Sequence, residues 1–149
     1  MSLQHPVVCE QIGARPIYIG SSRAASEGVI DETFDEVITV SSYSQPRTTT
    51  FIPLTDGQRV EYEMFKRAVE KARDAYSQGK SVLVHCEVGI SRSASVIAAV
   101  LAAEEGATVD ESLTEIKRYR QRVSPRRPLR ECAERYISEK SGSDILVTV

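Results

Sequence analysis

Ser81-Val82-Leu83-Val84 is a continuous apolar run bounded by turn residues, and a short loop further on the chain from Ser93 to Ala103 is apolar nearly all round. The first reads as a central strand covered on both faces, because a strand with one wet face would alternate. The second reads as a buried helix, because a surface helix would keep a polar stripe. A buried strand feeding a buried helix fixes what lies between them. The loop must emerge at the start of the helix, where unpaired backbone N–H groups and the helix dipole favour an anion.

The rest of the chain supplies more of such a sheet and its cover. Ile17-Tyr18-Ile19-Gly20 predicts a short strand, with Ser21-Ser22 capping a brief helix through Ala24 and Ala25. Glu36 to Val40 is a second strand, rich in β-branched residues, in the same sheet. After a polar, Ser/Thr-rich loop from Ser41 to Thr50, Phe51-Ile52-Pro53-Leu54 predicts a short extended piece at an edge, since Pro53 cannot donate to a ladder. Apolar residues at Phe65, Ala68, Val69, Ala72 and Ala75 or Tyr76 have helical spacing between Arg59 and Tyr76. Thr108-Val109-Asp110-Glu111 is a capping-box pattern opening a helix through Tyr119, and Pro128 suits the first turn of a last one. Residues 141–149 read as a loose tail.

With 149 residues, 41% of them apolar and 27% charged, the chain can bury one core unaided, so one domain is expected over 1–149 with its core about 17–140. A net charge of −2 gives no overall pull toward nucleic acid or membrane, and neither is expected as a partner. The apolar run Val96–Ala103 falls far short of the about 20 residues that a membrane-spanning helix needs. Three scattered cysteines, Cys9, Cys86 and Cys132, form no framework and suggest a reducing compartment. The opening Met1-Ser2-Leu3-Gln4-His5 lacks the pattern of a secretory signal, so a cytoplasmic location is expected. A monomer is the favoured state.

The chemistry lies in Val84-His85-Cys86-Glu87-Val88-Gly89-Ile90-Ser91-Arg92-Ser93. Cysteine and arginine at the two ends of one anion-binding loop can both face its centre, one to attack phosphorus and the other to hold two oxygens. Thiolate, not thiol, is the nucleophile, and helix N-termini and nearby cations favour it. Gly89 permits tight curvature and close backbone approach in a ring of inward N–H groups.

These residues resemble the His-Cys-x5-Arg-Ser/Thr signature of the protein tyrosine phosphatase superfamily. They are closer still to the His-Cys-x-x-Gly-x-Ser-Arg-Ser form of its dual-specificity branch, and the resemblance extends from about Ile17 to Ile137. It implies the cysteine-phosphatase fold: α/β, a single domain with a small central, mostly parallel sheet flanked by helices. It implies a phosphocysteine intermediate on Cys86, Arg92 binding the phosphoryl oxygens, Ser93 assisting release of the thiolate, and His85 orienting the loop. Residues Glu87, Val88, Gly89, Ile90, Ser91 and Arg92 would bind phosphate. Neither metal nor cofactor is called for, because loop amides and Arg92 supply the charge stabilisation.

A leaving oxygen needs a proton, and the family keeps that acid on an upstream loop. Asp56, thirty residues before Cys86, has that spacing; Asp35 and Glu61 are weaker candidates. The resemblance implies a phosphorylated protein as substrate, carrying phosphotyrosine and also phosphoserine or phosphothreonine. A phosphoinositide hydrolase is the alternative, but Glu87, Val88 and Ile90 stand where such enzymes tend to place lysines. The same argument weakens an RNA triphosphatase, which also differs at Ser91. A noncatalytic phosphate-binding module would need neither nucleophile nor acid, and a sulfur-transfer enzyme would not need Arg92-Ser93.

The bland readings stand beside these. Ser91 and Ser93 are ordinary helix-capping types, with Ser91 read as holding the loop in shape, and Cys9 and Cys132, in no recognisable electropositive loop, read as structural and not redox-active. Lys117, Arg118, Arg120, Arg122, Arg126, Arg127 and Arg130 form a basic stretch without an intervening acid, which predicts a solvated helix face. The family often has an asparagine after a proline here, bonded to the catalytic loop. This chain has Arg126 after Pro125, which leaves that support unassigned.

Overall fold

The computed structural model describes residues 7–55 and 59–148, with side chains described through residue 141. Five strands form one sheet in the order β1-β2-β5-β3-β4, where β1 is Cys9–Gln11, β2 Ile17–Gly20, β3 Glu36–Thr39, β4 Thr50–Phe51 and β5 Val82–His85. All neighbours are parallel except β1, which runs antiparallel to β2. The apolar run of β5 takes the centre, pairing Leu83 with Tyr18 on one side and with Val37 on the other. This is the mostly parallel α/β sheet that the resemblance implied.

The two faces are covered unequally. Val82 and Val84 of β5, Ile17 and Ile19 of β2 and Ile38 of β3 face the main core, built with α1 (Tyr62–Ser77), α2 (Arg92–Glu105), α3 (Val109–Lys117) and α4 (Arg127–Thr148). Leu83 and Val37, one residue out of phase, turn to a thinner layer with Ala24, Ala25, Ile30 and Phe34. That layer includes the 3-10 turn Ser22–Ala25 and the loop that follows it. The alternation is the two-residue period of a strand.

Helix α2 is the axis of the helical layer. Every residue from Ser93 to Ala102 is buried, and α1, α3 and α4 pack around it. Its alanines let neighbours approach closely, and Ile97 and Leu101 fill the space between. Full burial of one such side chain contributes about 1.5–3 kcal/mol. Gly106 ends the helix in the left-handed region. Thr108 and Glu111 form the expected capping box at the start of α3.

Four features depart from the sequence reading. Strand β1 is unannounced, being three residues with two of them exposed. Helix α1 starts at Tyr62 instead of Arg59. The extended piece pairs at Thr50–Phe51, but Ile52 and Leu54 still donate to Thr39 O and Val40 O, and Pro53, with no N–H, falls between them. The helical backbone of α4 continues to Thr148, through most of the stretch read as a tail. Extending a helix already anchored by Leu129, Ala133 and Tyr136 needs no new nucleus.

Candidate active site

Residues 86–91 leave the carboxyl end of β5 and enter α2. His85 and Cys86, as neighbours in an extended chain, turn to opposite faces of the sheet. Cys86 joins the helical core at 1% exposure, and His85, fully buried, faces the thinner layer.

The loop is held from outside by its carbonyls. Cys86 O accepts from Ser22 Oγ at 3.2 Å and lies 3.2 Å from His85 Nδ1. Glu87 O accepts the N–H of Ser22 at 3.1 Å. Val88 O and Gly89 O accept from Nη2 and Nε of Arg120 at 2.9 and 2.8 Å. Ile90 O accepts the N–H of Ser124 at 2.9 Å. In a trans peptide the following N–H points away from the carbonyl, so the amides of Glu87 through Ser91 are turned toward the middle of the loop. The result is a concave array of donors at a helix N-terminus.

Gly89 makes the curvature possible. Its φ is +69°, and a Cβ there would lie 2.9 Å from the carbonyl oxygen of Gly20, a backbone atom that cannot step aside.

Around that array stand Cys86, Ser93 and Arg92, the side chains to which the resemblance assigns chemistry. Cys86 Sγ is 3.2 Å from Ser93 Oγ in the first turn of α2. Arg92 begins the same helix; its Nη1 donates to Leu54 O at 3.3 Å, and its Nε is buried without a hydrogen-bond partner among the described residues. A half-buried guanidinium with unspent donors suits an oxyanion. Arg92 opens onto a cleft of about 480 Å³ lined by Ser42, Pro53, Leu54, Thr55, Glu61 and Met64.

The acid candidates separate in space. Asp35 bonds the N–H of Ser81 at the amino end of β5, the wrong end of the strand for this cleft. Glu61 lines the cleft with Arg92. Asp56 lies outside the described residues; its neighbours Leu54 and Thr55 line the cleft.

Support for the loop comes from residues that pattern reading left aside. Arg120, counted in the solvated basic stretch, turns its guanidinium inward to two loop carbonyls, while Arg118, Arg127 and Arg130 pair with Glu115, Glu131 and Asp110. Burial, reinforced by Arg122, holds Arg120 below the usual arginine range. The N–H of Arg126 donates to Ser91 Oγ at 2.9 Å, so the position after Pro125 reaches the loop through its main chain. By sequence Ser22 is only a helix cap, and Thr39 only a strand residue. His85 is pushed down from the usual histidine range chiefly by burial, against a smaller opposing pull from its bond to Cys86 O.

Four likenesses bear on this site. The family model described as "Dual specificity phosphatase, catalytic domain" matches residues 17–134. Dual specificity protein phosphatase 1 of Arabidopsis thaliana is 32% identical over 117 residues, spanning 73% of this chain and 59% of that protein. The chain thus spans less than two thirds of that relative's length. Among solved structures, a mouse putative dual specificity phosphatase complexed with zinc tungstate superposes with a TM-score of 0.80 at 23% identity, covering 97% of this chain and 96% of that one. PTPMT1 in complex with PI(5)P superposes with a TM-score of 0.73 at 20% identity, covering 91% and 98%. At such identities the structures speak for the fold alone. With the family model spanning β2 through the first turns of α4, this chain belongs to the dual specificity phosphatase family.

Proposed function

We propose that this chain hydrolyses phosphate monoesters on proteins, acting on phosphotyrosine and on phosphoserine or phosphothreonine through a phosphocysteine intermediate. The observation that carries the reading is the loop whose carbonyls from Cys86 to Ile90 are all tied outward, leaving amides for a phosphate between Cys86 Sγ and Arg92. Binding alone would need the amides but not a thiol at the base of the array.

In the first step Cys86 Sγ attacks phosphorus and the P–O bond to the side-chain oxygen breaks. Asp56 is the proposed donor of the proton that the leaving oxygen takes up. Arg92 and the loop amides hold the three non-bridging oxygens, whose charge is best met by donors already in place. In the second step Asp56, now a carboxylate, takes a proton from water as its oxygen attacks phosphorus. The S–P bond breaks, inorganic phosphate leaves, and Ser93 Oγ, 3.2 Å from Sγ, stabilises the departing thiolate.

The cleft argues against a polyanionic inositol headgroup. Among its described lining residues Arg92 is the one cation, and Glu61 adds an acid, as Glu87 does in the loop. A thiol nucleophile works in a reducing compartment, and on that ground we place the protein in the cytoplasm; a monomer is the state we propose. Among the described residues no helix is long and apolar enough to cross a membrane.

The test is phosphate release, without added metal, across phosphotyrosine, phosphoserine and phosphothreonine peptides and inositol lipids. Wild type is expected to turn over the peptides, and Cys86→Ser to bind vanadate or phosphopeptide without turnover. Faster release from the lipids would overturn the protein-substrate reading, and activity surviving in Cys86→Ser would overturn the mechanism.

A further inference from the structure

On the thinner face of the sheet, a file of hydrogen-bonding groups leads from the catalytic loop to the loop that borders the cleft. His85 Nε2 lies 2.6 Å from Thr39 Oγ1, and Thr39 Oγ1 lies 2.6 Å from Thr48 Oγ1. Thr48 Oγ1 in turn accepts the N–H of Gln45 at 2.8 Å. At the other end, His85 Nδ1 faces Cys86 O. Thr39 and His85 have no exposed surface.

The direction of every bond follows from two ends that cannot change role. Cys86 O can only accept, so Nδ1 carries the hydrogen. The buried ring, with its pKa pushed down chiefly by burial, is neutral, which leaves Nε2 as an acceptor. Thr39 must therefore donate to Nε2, and its remaining capacity toward Thr48 is to accept. Thr48 donates to Thr39 and accepts from Gln45 N–H, which can only donate. No donor or acceptor in the file conflicts.

We propose that Thr39 and Thr48 are positioning residues that fasten the His85 ring at Nε2 and thereby hold the orientation of the Cys86 carbonyl against Nδ1, coupling the turn at Gln45–Thr48 to the phosphate loop. The coupling rests on the phosphatase reading for its effect on rate, but not for its existence. Reversing one hydroxyl would leave Nε2 protonated and set the bare Nδ1 lone pair against the carbonyl of Cys86. That carbonyl would swing, and the inward amide of Glu87 with it. The turn also belongs to the segment carrying Ser42, which lines the cleft, so the wall and the floor of the site share one fastening.

The experiment combines nitrogen NMR of the imidazole with kinetics. The chain has two histidines, so a His5→Ala background isolates His85. The wild-type ring is expected as a single Nδ1–H tautomer. Thr39→Val is expected to keep the Nδ1–H tautomer that Cys86 O demands but to shift the Nε2 resonance as its hydrogen bond is lost, and to lower kcat roughly tenfold with KM little changed, from an unsatisfied buried acceptor, and Thr39→Ser to restore both. Thr48→Val is expected to lower kcat several-fold, and the double Thr39→Val/Thr48→Val variant to be no slower than Thr39→Val alone, because a broken file has no second link to lose. If Thr39→Val does not fold, Thr48→Val and the wild-type tautomer decide the question. An Nε2–H tautomer in the wild type, an unshifted Nε2 resonance in Thr39→Val, or wild-type kcat in Thr48→Val overturns the proposal. The tautomer is read without turnover, so a wild type that releases no phosphate would refute the phosphatase reading and leave the file of bonds to stand or fall on its spectrum.

Discussion

Removing the side chain of Arg120 should disable the phosphate loop without unfolding the protein. Its guanidinium donates to Val88 O and Gly89 O at 2.9 and 2.8 Å, and those two carbonyls orient the amides of Gly89 and Ile90. A hydrogen bond from a charged donor contributes about 1.5–3 kcal/mol. Arg120 is half-buried, so water replaces part of what Ala removes, and about 2–3 kcal/mol is a reasonable net loss. If that loss falls on the state with most charge on the phosphoryl oxygens, kcat/KM drops by about 30- to 150-fold. The assay is steady-state hydrolysis of an aryl phosphate by wild type, Arg120→Ala and Arg120→Lys, with vanadate affinity and thermal midpoint measured alongside. Vanadate binding should weaken in parallel. Lysine should recover only part of the loss, since an ammonium lacks the planar fork that reaches two adjacent carbonyls. A folded Arg120→Ala protein with kcat/KM within about threefold of wild type would refute the claim that these bonds aim the amides.

Other perturbations probe different layers. Gly89→Ala should cost about 1–3 kcal/mol of strain, from its left-handed φ and from a Cβ 2.9 Å from Gly20 O; an unchanged thermal midpoint with full activity would show that the loop can relax. Asp56→Asn should slow turnover strongly for substrates with poor leaving groups while sparing binding, and unchanged turnover on a phosphopeptide would eliminate it as the acid. Arg15 bonds Glu105 at 2.6 Å and Glu115 at 2.9 Å, and these bonds hold both carboxyls below the usual range. A depressed folded pKa gives stability that is present above the unfolded value and lost as pH falls through the folded one. Arg15→Ala should therefore lower the midpoint of urea unfolding near neutrality, with the gap to wild type narrowing below pH ~4; a constant gap would contradict the pairing.

Pattern reading reached the elements whose own side chains declare them. The apolar run of β5, the featureless apolar face of α2 and the Thr108–Glu111 box are local signals, and all three are realised. Strand β1 carries no such signal because its pairing to β2 is mostly a backbone affair, with two of its three side chains exposed. Long-range polar contacts were equally silent. Nothing in the spacing of Arg120 separates it from its solvated neighbours, because a helical period tells which face a residue takes and not where a long side chain bends. Thr39 looked like any β-branched strand former, and its hydroxyl acquires meaning only when β5 brings His85 alongside. The acids show the same limit. Asp35 and Glu61 were both within reach by sequence, and only the direction of β5 sets one at the cleft and the other at the far end.

Because α2 is wrapped on every side from Ser93 to Ala102, its first turn cannot fray independently of the rest of the molecule. The groups proposed to hold an oxyanion are therefore rooted in the most buried helix of the fold. Amide hydrogens along α2 should exchange only through global opening, and activity should survive in denaturant until the whole protein unfolds. Amides of the cleft walls near Ser42 and Thr55, outside the strands and helices, should exchange earlier. Substrate choice can thus be reshaped by change in the walls while the bond-breaking floor stays tied to the stability of the fold itself.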